Sequence, residues 1–206
     1  MRKLFLFLLG LSICAPAWCQ GIVEVLERSQ SVRLAAMSFV PTEDPRAAVV
    51  RASFEQLAHR FASDRDIDIR VISGSVLAEC FAGRTIVANE LLAEVPEPVR
   101  LFLLAHEIGH VVLGHWKQFE QLYVQYIPGE VEQQHTDAVA GELGRAASHL
   151  SHEQELAADE FAMHTVRALG YRFEDVMGAF TQFGMQMETA THPGTRTRIA
   201  HLRAID

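Results

Sequence analysis

Two histidines four residues apart with a glutamate beside the first, His106-Glu107-Ile108-Gly109-His110, are the residues of this chain best placed to do chemistry. On a helix, positions four apart lie one turn above the other on a single face, so both imidazoles can reach one ion. Glu107 sits about 100° round the helix from His106, on the flank of that face, where it can hydrogen-bond a water beside the ion without binding the ion itself. The string alone is a weak signal, because composition produces it by chance. Its setting strengthens it: VRLFLLAHEIGHVVLGH (99–115) is apolar round most of its circumference and reads as a central, buried helix. Two histidines and a glutamate inside such a helix are costly unless they are paired or bound to a metal.

Zinc needs a third protein ligand, and spacing removes one source. The extended arrangement HExxHxxGxxH would put a histidine at position 116, where this chain has Trp116, and a glycine at 113, where it has Leu113. His115 is nine residues after His106 and lies about 180° away on a continuous helix, so it is not expected in the same tetrahedron. The segment EQELAADEFAMH (153–164) supplies a better candidate. Glu155 and Asp159 are four apart on one helix face, beside Ala157 and Ala158, which are small enough for close approach to the first helix. Glu155 as ligand with His106 and His110 gives a two-histidine, one-glutamate set that leaves a fourth position open, and Asp159 can fix the tautomer of a ligand histidine. His152 and His149 are alternative ligands, and Glu160 is a poorer partner, about 140° from Glu155. The plain alternative is that Glu155 and Asp159 are solvent-facing helix charges.

Several elements must position these groups. Residues 22–39 have mixed helical periodicity, interrupted by Pro41, Asp44 and Pro45, and 46–63 repeat apolar residues at three and four, a second helix with one buried stripe. The period then becomes two: 67–73, 76–82 and 85–89 read as short strands with turns at Gly74-Ser75 and Gly83-Arg84, one face covered by helices. The polar stretch 117–150, broken by Pro128-Gly129 and Gly141, reads as a partly helical excursion and a candidate lid or recognition element. Ser151 with Gln154 resembles a capping box opening a helix over 152–169, followed by helices near 173–190 and 195–204. The sum is an α+β fold, mainly helical, with a small mixed sheet of about three strands.

Composition bounds the rest. Residues 1–20 combine a positive start (Arg2, Lys3), an apolar run from Leu4 to Ile13 and small residues at Ala15 and Ala17, the layout of a secretory signal peptide. Residues 21–206 then form a single domain, with no later membrane-spanning segment. Loss of Arg2 and Lys3 takes 18 basic residues to 16 against 26 acidic ones, from −8 to −10, a balance that does not favour nucleic acid. Cys14 and Cys19 fall at the signal, leaving Cys80, so no disulfide framework is expected unless cleavage spares Cys19 for a Cys19–Cys80 bridge.

Three segments together, LLAHEIGHVVLGH, ELAADEFA and THPGTRTRIAHL, resemble the signature segments of the zinc metallopeptidases that include the bacterial HtpX proteases and the eukaryotic prenyl-protein endopeptidases. The pattern falls here on His106, Glu107 and His110, on Glu155 and Asp159, and on His192-Pro193 with Arg198-Ile199. AECFAGRTIVANELL (78–92) resembles the strand pair that precedes the metal helix, and the likeness covers most of 65–204. Two departures stand out: no run of spanning helices, and Gly194 where a second proline is frequent.

The resemblance implies a zincin-like fold, one Zn2+, His192 near the metal contacting substrate or the developing oxyanion, and Arg198 supporting the site. The reaction expected is peptide hydrolysis, with Glu107 taking a proton from the attacking water and passing it to the leaving amine, on a substrate extended against the edge strand near 84–89. Exported or misfolded envelope proteins in a bacterial periplasm, with an envelope protein partner, complete the expectation. A chaperone-like, non-cutting protein stabilised by metal and a hydrolase of non-peptide amides or esters are the competing classes.

Overall fold

The computed structural model describes residues 20–182 and 184–205. The expected signal peptide, residues 1–20, lies outside the described residues apart from Gln20, as do Cys14 and Cys19. From Gly21 the chain runs α1 (Ile22–Ala35), β1 (Ser38–Phe39), α2 (Pro45–Phe61), β2 (Asp68–Ser73), β3 (Ala78–Phe81), β4 (Thr85–Asn89), a 3-10 turn (Glu90–Glu94) and α3 (Glu97–Val112). It continues through α4 (His115–Tyr126), α5 (Gln133–Ala168), α6 (Phe173–Val176), α7 (Gly178–Thr181) and α8 (Thr195–Ala204). Local chemistry sets several boundaries. The Asp44 carboxylate accepts the Arg46 and Ala47 N–H groups at 2.8 and 3.2 Å, and Pro45 has no N–H to satisfy, so α2 starts there.

The sheet has four strands rather than three, in the order β1-β2-β4-β3. The extra strand is only two residues long, too short to leave a period in the sequence. β2 and β4 are parallel, and β3 folds back antiparallel onto the outside of β4. Residues 84–89 are therefore interior to the sheet, and its open edge beside the metal helix is β3. Helices were expected on one face, yet both faces of the sheet are covered. Val71, Ile86 and Ala88 join the main core with α2 and α3, while Ile72, Phe81 and Val87 form a smaller cluster with Leu34 and Met37 at the end of α1.

At the centre lies α3, with Leu101, Phe102, Leu104 and Ala105 wholly buried. Side chains of Leu or Phe size contribute about 1.5–3 kcal/mol each when buried. α3 packs between α2, β3 and α5. The tightest approach is at Gly109: a Cβ there would lie 3.1 Å from the Phe161 ring and 3.4 Å from Ala158 Cα, so the absence of a side chain lets α3 and α5 approach closely.

Two helical boundaries differ from those read in the sequence. The central helix ends at Val112 rather than His115, because Gly114 adopts φ +69 and redirects the chain into α4. Residues 117–150 are helical except around Pro128-Gly129, since α5 runs unbroken for 36 residues through Gly141 and Ser151. The expected start at Ser151 is thus mid-helix. What carries the helix across that polar stretch is tertiary: Leu143 and Val139 pack with Ile127, Tyr123 and Ile22 in a second core shared by α1, α4 and α5. The helix expected over 173–190 is reduced to α6 and α7, after which 184–190 has no helical structure. Among the described residues no helix is long and apolar enough to cross a membrane.

Candidate metal centre and cleft

The close α3–α5 contact brings three side chains to one point. His106 Nε2 and His110 Nε2 are 3.2 Å apart, and the Glu155 carboxylate faces both, Oε2 at 3.4 Å from His106 Nε2 and Oε1 at 3.4 Å from His110 Nε2. These three residues could hold a metal ion. Those separations are close to the edges of about 3.3–3.4 Å in a tetrahedron built on bonds of about 2.0–2.1 Å, and one ligand atom from each residue lies within 4.8 Å of the others. The donor types suit zinc: two imidazole nitrogens and a carboxylate oxygen, a set that leaves a fourth position for another ligand.

The outer atoms of the cluster are held as closely. Asp159, with no exposed surface, brings Oδ1 to 3.0 Å from His106 Nδ1. Arg198 in turn donates two hydrogen bonds to Asp159, from Nε at 2.7 Å and Nη2 at 2.6 Å. His110 Nδ1 lies 2.8 Å from Nδ1 of His115. His192 is half exposed on the turn before α8, its Nδ1 bonded to Thr191 Oγ1 at 2.8 Å and its Nε2 3.7 Å from Glu155. His152 is tied to the Thr189 carbonyl at 2.8 Å, and His149 pairs with Glu153 on the surface, so neither alternative ligand reaches the cluster. Glu160 turns away to His201.

Charge and burial oppose one another here. Burial works to lower the His106 pKa, but the Glu155 charge and the hydrogen bond to Asp159 overcome it and raise the ring to about 10. Burial likewise works to raise Glu155, and the two facing histidines drive it far below the usual carboxylate range. Glu107 goes the other way: burial raises its pKa, only partly countered by the His106 and His110 charges. A carboxyl group poised upward in a cleft is suited to exchange protons with water. Burial and the charges of His110 and His106 push His115 down to about 4, leaving it a neutral ring.

A cleft of about 370 Å³ opens over the cluster, between the β3 edge (Ala78, Glu79, Cys80), α4 (Trp116, Phe119) and the end of α1 (Gln30, Arg33). A smaller pocket of about 150 Å³ shares His106, Glu107, Glu155 and His192 and extends towards Phe180 and Arg198. The space therefore runs past Glu107 in both directions along β3. Cys80 lines it, but burial and then the Glu107 charge push its thiol far above the usual range, so it stays protonated.

A sequence profile of peptidase family M48 matches residues 45–206. The chain belongs to that family. M48 peptidases are zinc-dependent, and the resemblance read from the three segments holds. Among solved structures, the crystal structure of Ste24p from S. mikatae is similar, with TM-score 0.53 and 17% identity over 88% of this chain and 56% of that one. The likeness shows a shared fold, and the M48 chain spans little more than half the length of that protein. No curated protein sequence gives a match.

One neighbour of the cluster escaped the sequence. His115 was placed on the far side of a continuous helix, whereas the left-handed Gly114 returns it to His110. The signal was present in Leu113-Gly114, a glycine where a helix can end.

Proposed function

We propose that this chain is a zinc-dependent endopeptidase, with His106, His110 and Glu155 as metal ligands and Glu107 as general base. The observation that carries the reading is the cluster of two imidazole nitrogens 3.2 Å apart with the Glu155 carboxylate 3.4 Å from each, and Glu107 opening onto the same cleft. Bound there, a single Zn2+ would supply a Lewis acid for the scissile carbonyl and lower the pKa of water to near neutrality. Glu107 takes a proton from the attacking water and delivers it to the leaving amine, a task its raised pKa suits. Asp159 holds the His106 tautomer, and Arg198 holds Asp159. His192, half exposed beside the cluster with its Nε2 3.7 Å from Glu155, donates to the oxyanion.

Substrate would lie extended along β3, the open edge, pairing backbone to backbone with residues 78–81 rather than with 84–89. That mode suits unfolded or loosely folded chains. Export through a signal at 1–20, a single catalytic domain over 21–206, and exported or misfolded envelope proteins of a bacterial periplasm as substrates complete the proposal, with 117–150 as the recognition wall beside the cleft. Replacing Glu107→Gln is expected to leave zinc content unchanged and lower hydrolysis of an unfolded protein such as casein by about 10²–10⁴-fold. Activity of that variant near the wild-type level would remove Glu107 from the mechanism, and zinc retained by Glu155→Ala would remove the third ligand.

A further inference from the structure

The two facing imidazoles are held from behind in different ways. His106 meets a carboxylate clamped by a guanidinium, while His110 meets another imidazole at 2.8 Å. We propose that His115 is the positioning residue of His110: with its own hydrogen on Nε2, it accepts the Nδ1–H of His110 and holds that ring with Nε2 turned to the ion. The inference rests on the reading of His110 as a ligand. An imidazole that binds through Nε2 carries its hydrogen on Nδ1, and a partner at hydrogen-bond distance from that atom must then be an acceptor.

The fold fixes His115 for this role. Gly114, at φ +69, ends α3 and turns the next residue back against it, and His115 is only 5% exposed. The Gln154 side-chain amide donates to the His115 carbonyl at 3.0 Å and to Gln118 Oε1 at 3.1 Å. Gln154 is the residue immediately before Glu155, so the turn of α5 that offers the carboxylate also anchors the ring that orients His110. One short segment thereby sets two of the three donors.

Reach distinguishes this role from simple packing. The oxygen of an asparagine at 115 would fall where Nδ1 is now, whereas a glutamine would place its polar atoms one bond farther out, near the present Nε2. Zinc affinity of the full chain, measured by competition with a chromophoric chelator, is expected to fall about 10–100-fold in His115→Leu and in His115→Gln, and to return to within about threefold of wild type in His115→Asn. Melting in excess chelator separates loss of fold from loss of affinity. Should the leucine variant not fold, the asparagine–glutamine pair, both polar and differing only in reach, carries the comparison. Wild-type affinity in His115→Leu, or equal weakness in the asparagine and glutamine variants, would overturn the inference. Loss of zinc in His110→Ala together with full affinity in His115→Leu overturns it alone, while zinc retained in His110→Ala overturns the ligand assignment beneath it.

Discussion

Asp159 and Arg198 show how a residue can matter twice. The Asp159 side chain has no exposed surface and that of Arg198 only 16%, so their bidentate pair is made largely out of water. Removing one partner leaves a buried charge alone, and Asp159→Ala is expected to cost about 3–5 kcal/mol in urea unfolding of the chelated protein. Replacing both by apolar residues of similar size, Asp159→Leu with Arg198→Met, should recover most of that loss, because no unpaired charge remains. Zinc affinity should not recover with it. His106 has lost the acceptor at Nδ1 in both variants, and about a 10–100-fold deficit is expected in each. Stability and affinity rising together in the double variant would show that Asp159 acts on the fold alone.

At the scale of elements, the site depends on how near α3 and α5 lie. Gly109 stands between His106 and His110, and it faces Ala158, one turn from Glu155. In Gly109→Ala the new Cβ meets Phe161 at 3.1 and 3.3 Å, so that ring or the helix must give by a few tenths of an ångström. Helix propensity favours alanine by about 0.5–1 kcal/mol, which opposes the overpacking penalty and leaves a small net change in melting temperature. Geometry is less forgiving. Gly109→Val is expected to open the cluster, lowering zinc affinity more than tenfold, with partial return when Phe161→Leu is added. An unchanged affinity in the valine variant would mean that the helices are not held at this point.

For the molecule as a whole, the metal cluster couples stability to pH. His106 without metal has a pKa near 10 against an ordinary 6.5, so the stability it contributes is complete below 6.5 and is lost as pH rises through 10. Glu155 is depressed below its ordinary 4.5, and its contribution is present above 4.5 and lost in acid. Both shifts describe one interaction, so the metal-free protein should be most stable between about pH 4.5 and 6.5 and should soften towards pH 10. Zinc reverses the alkaline trend, since rising pH removes the proton that competes with it. The gap in melting temperature between zinc-loaded and chelated protein should therefore widen from pH 6 to pH 9. A gap independent of pH would show that no such proton is displaced.

Much of this was legible in one dimension because the chemistry repeats with the helix. Histidines at 106 and 110 and acids at 155 and 159 share faces by period alone, and Pro45, Pro98 and the alternation of 67–73 mark elements near where they stand. Residue period also hid three things: that Gly114 would stop the central helix and bring His115 back, that a second core would carry α5 through Gly141 and Ser151, and that β3 rather than β4 would be the open edge. The last two are decided by contacts between segments distant in the chain, where burial outweighs local propensity, whereas the first turns on a glycine in a left-handed conformation. Local spacing determined which side chains could meet an ion, and tertiary packing decided what stands behind them and along which edge a substrate can lie.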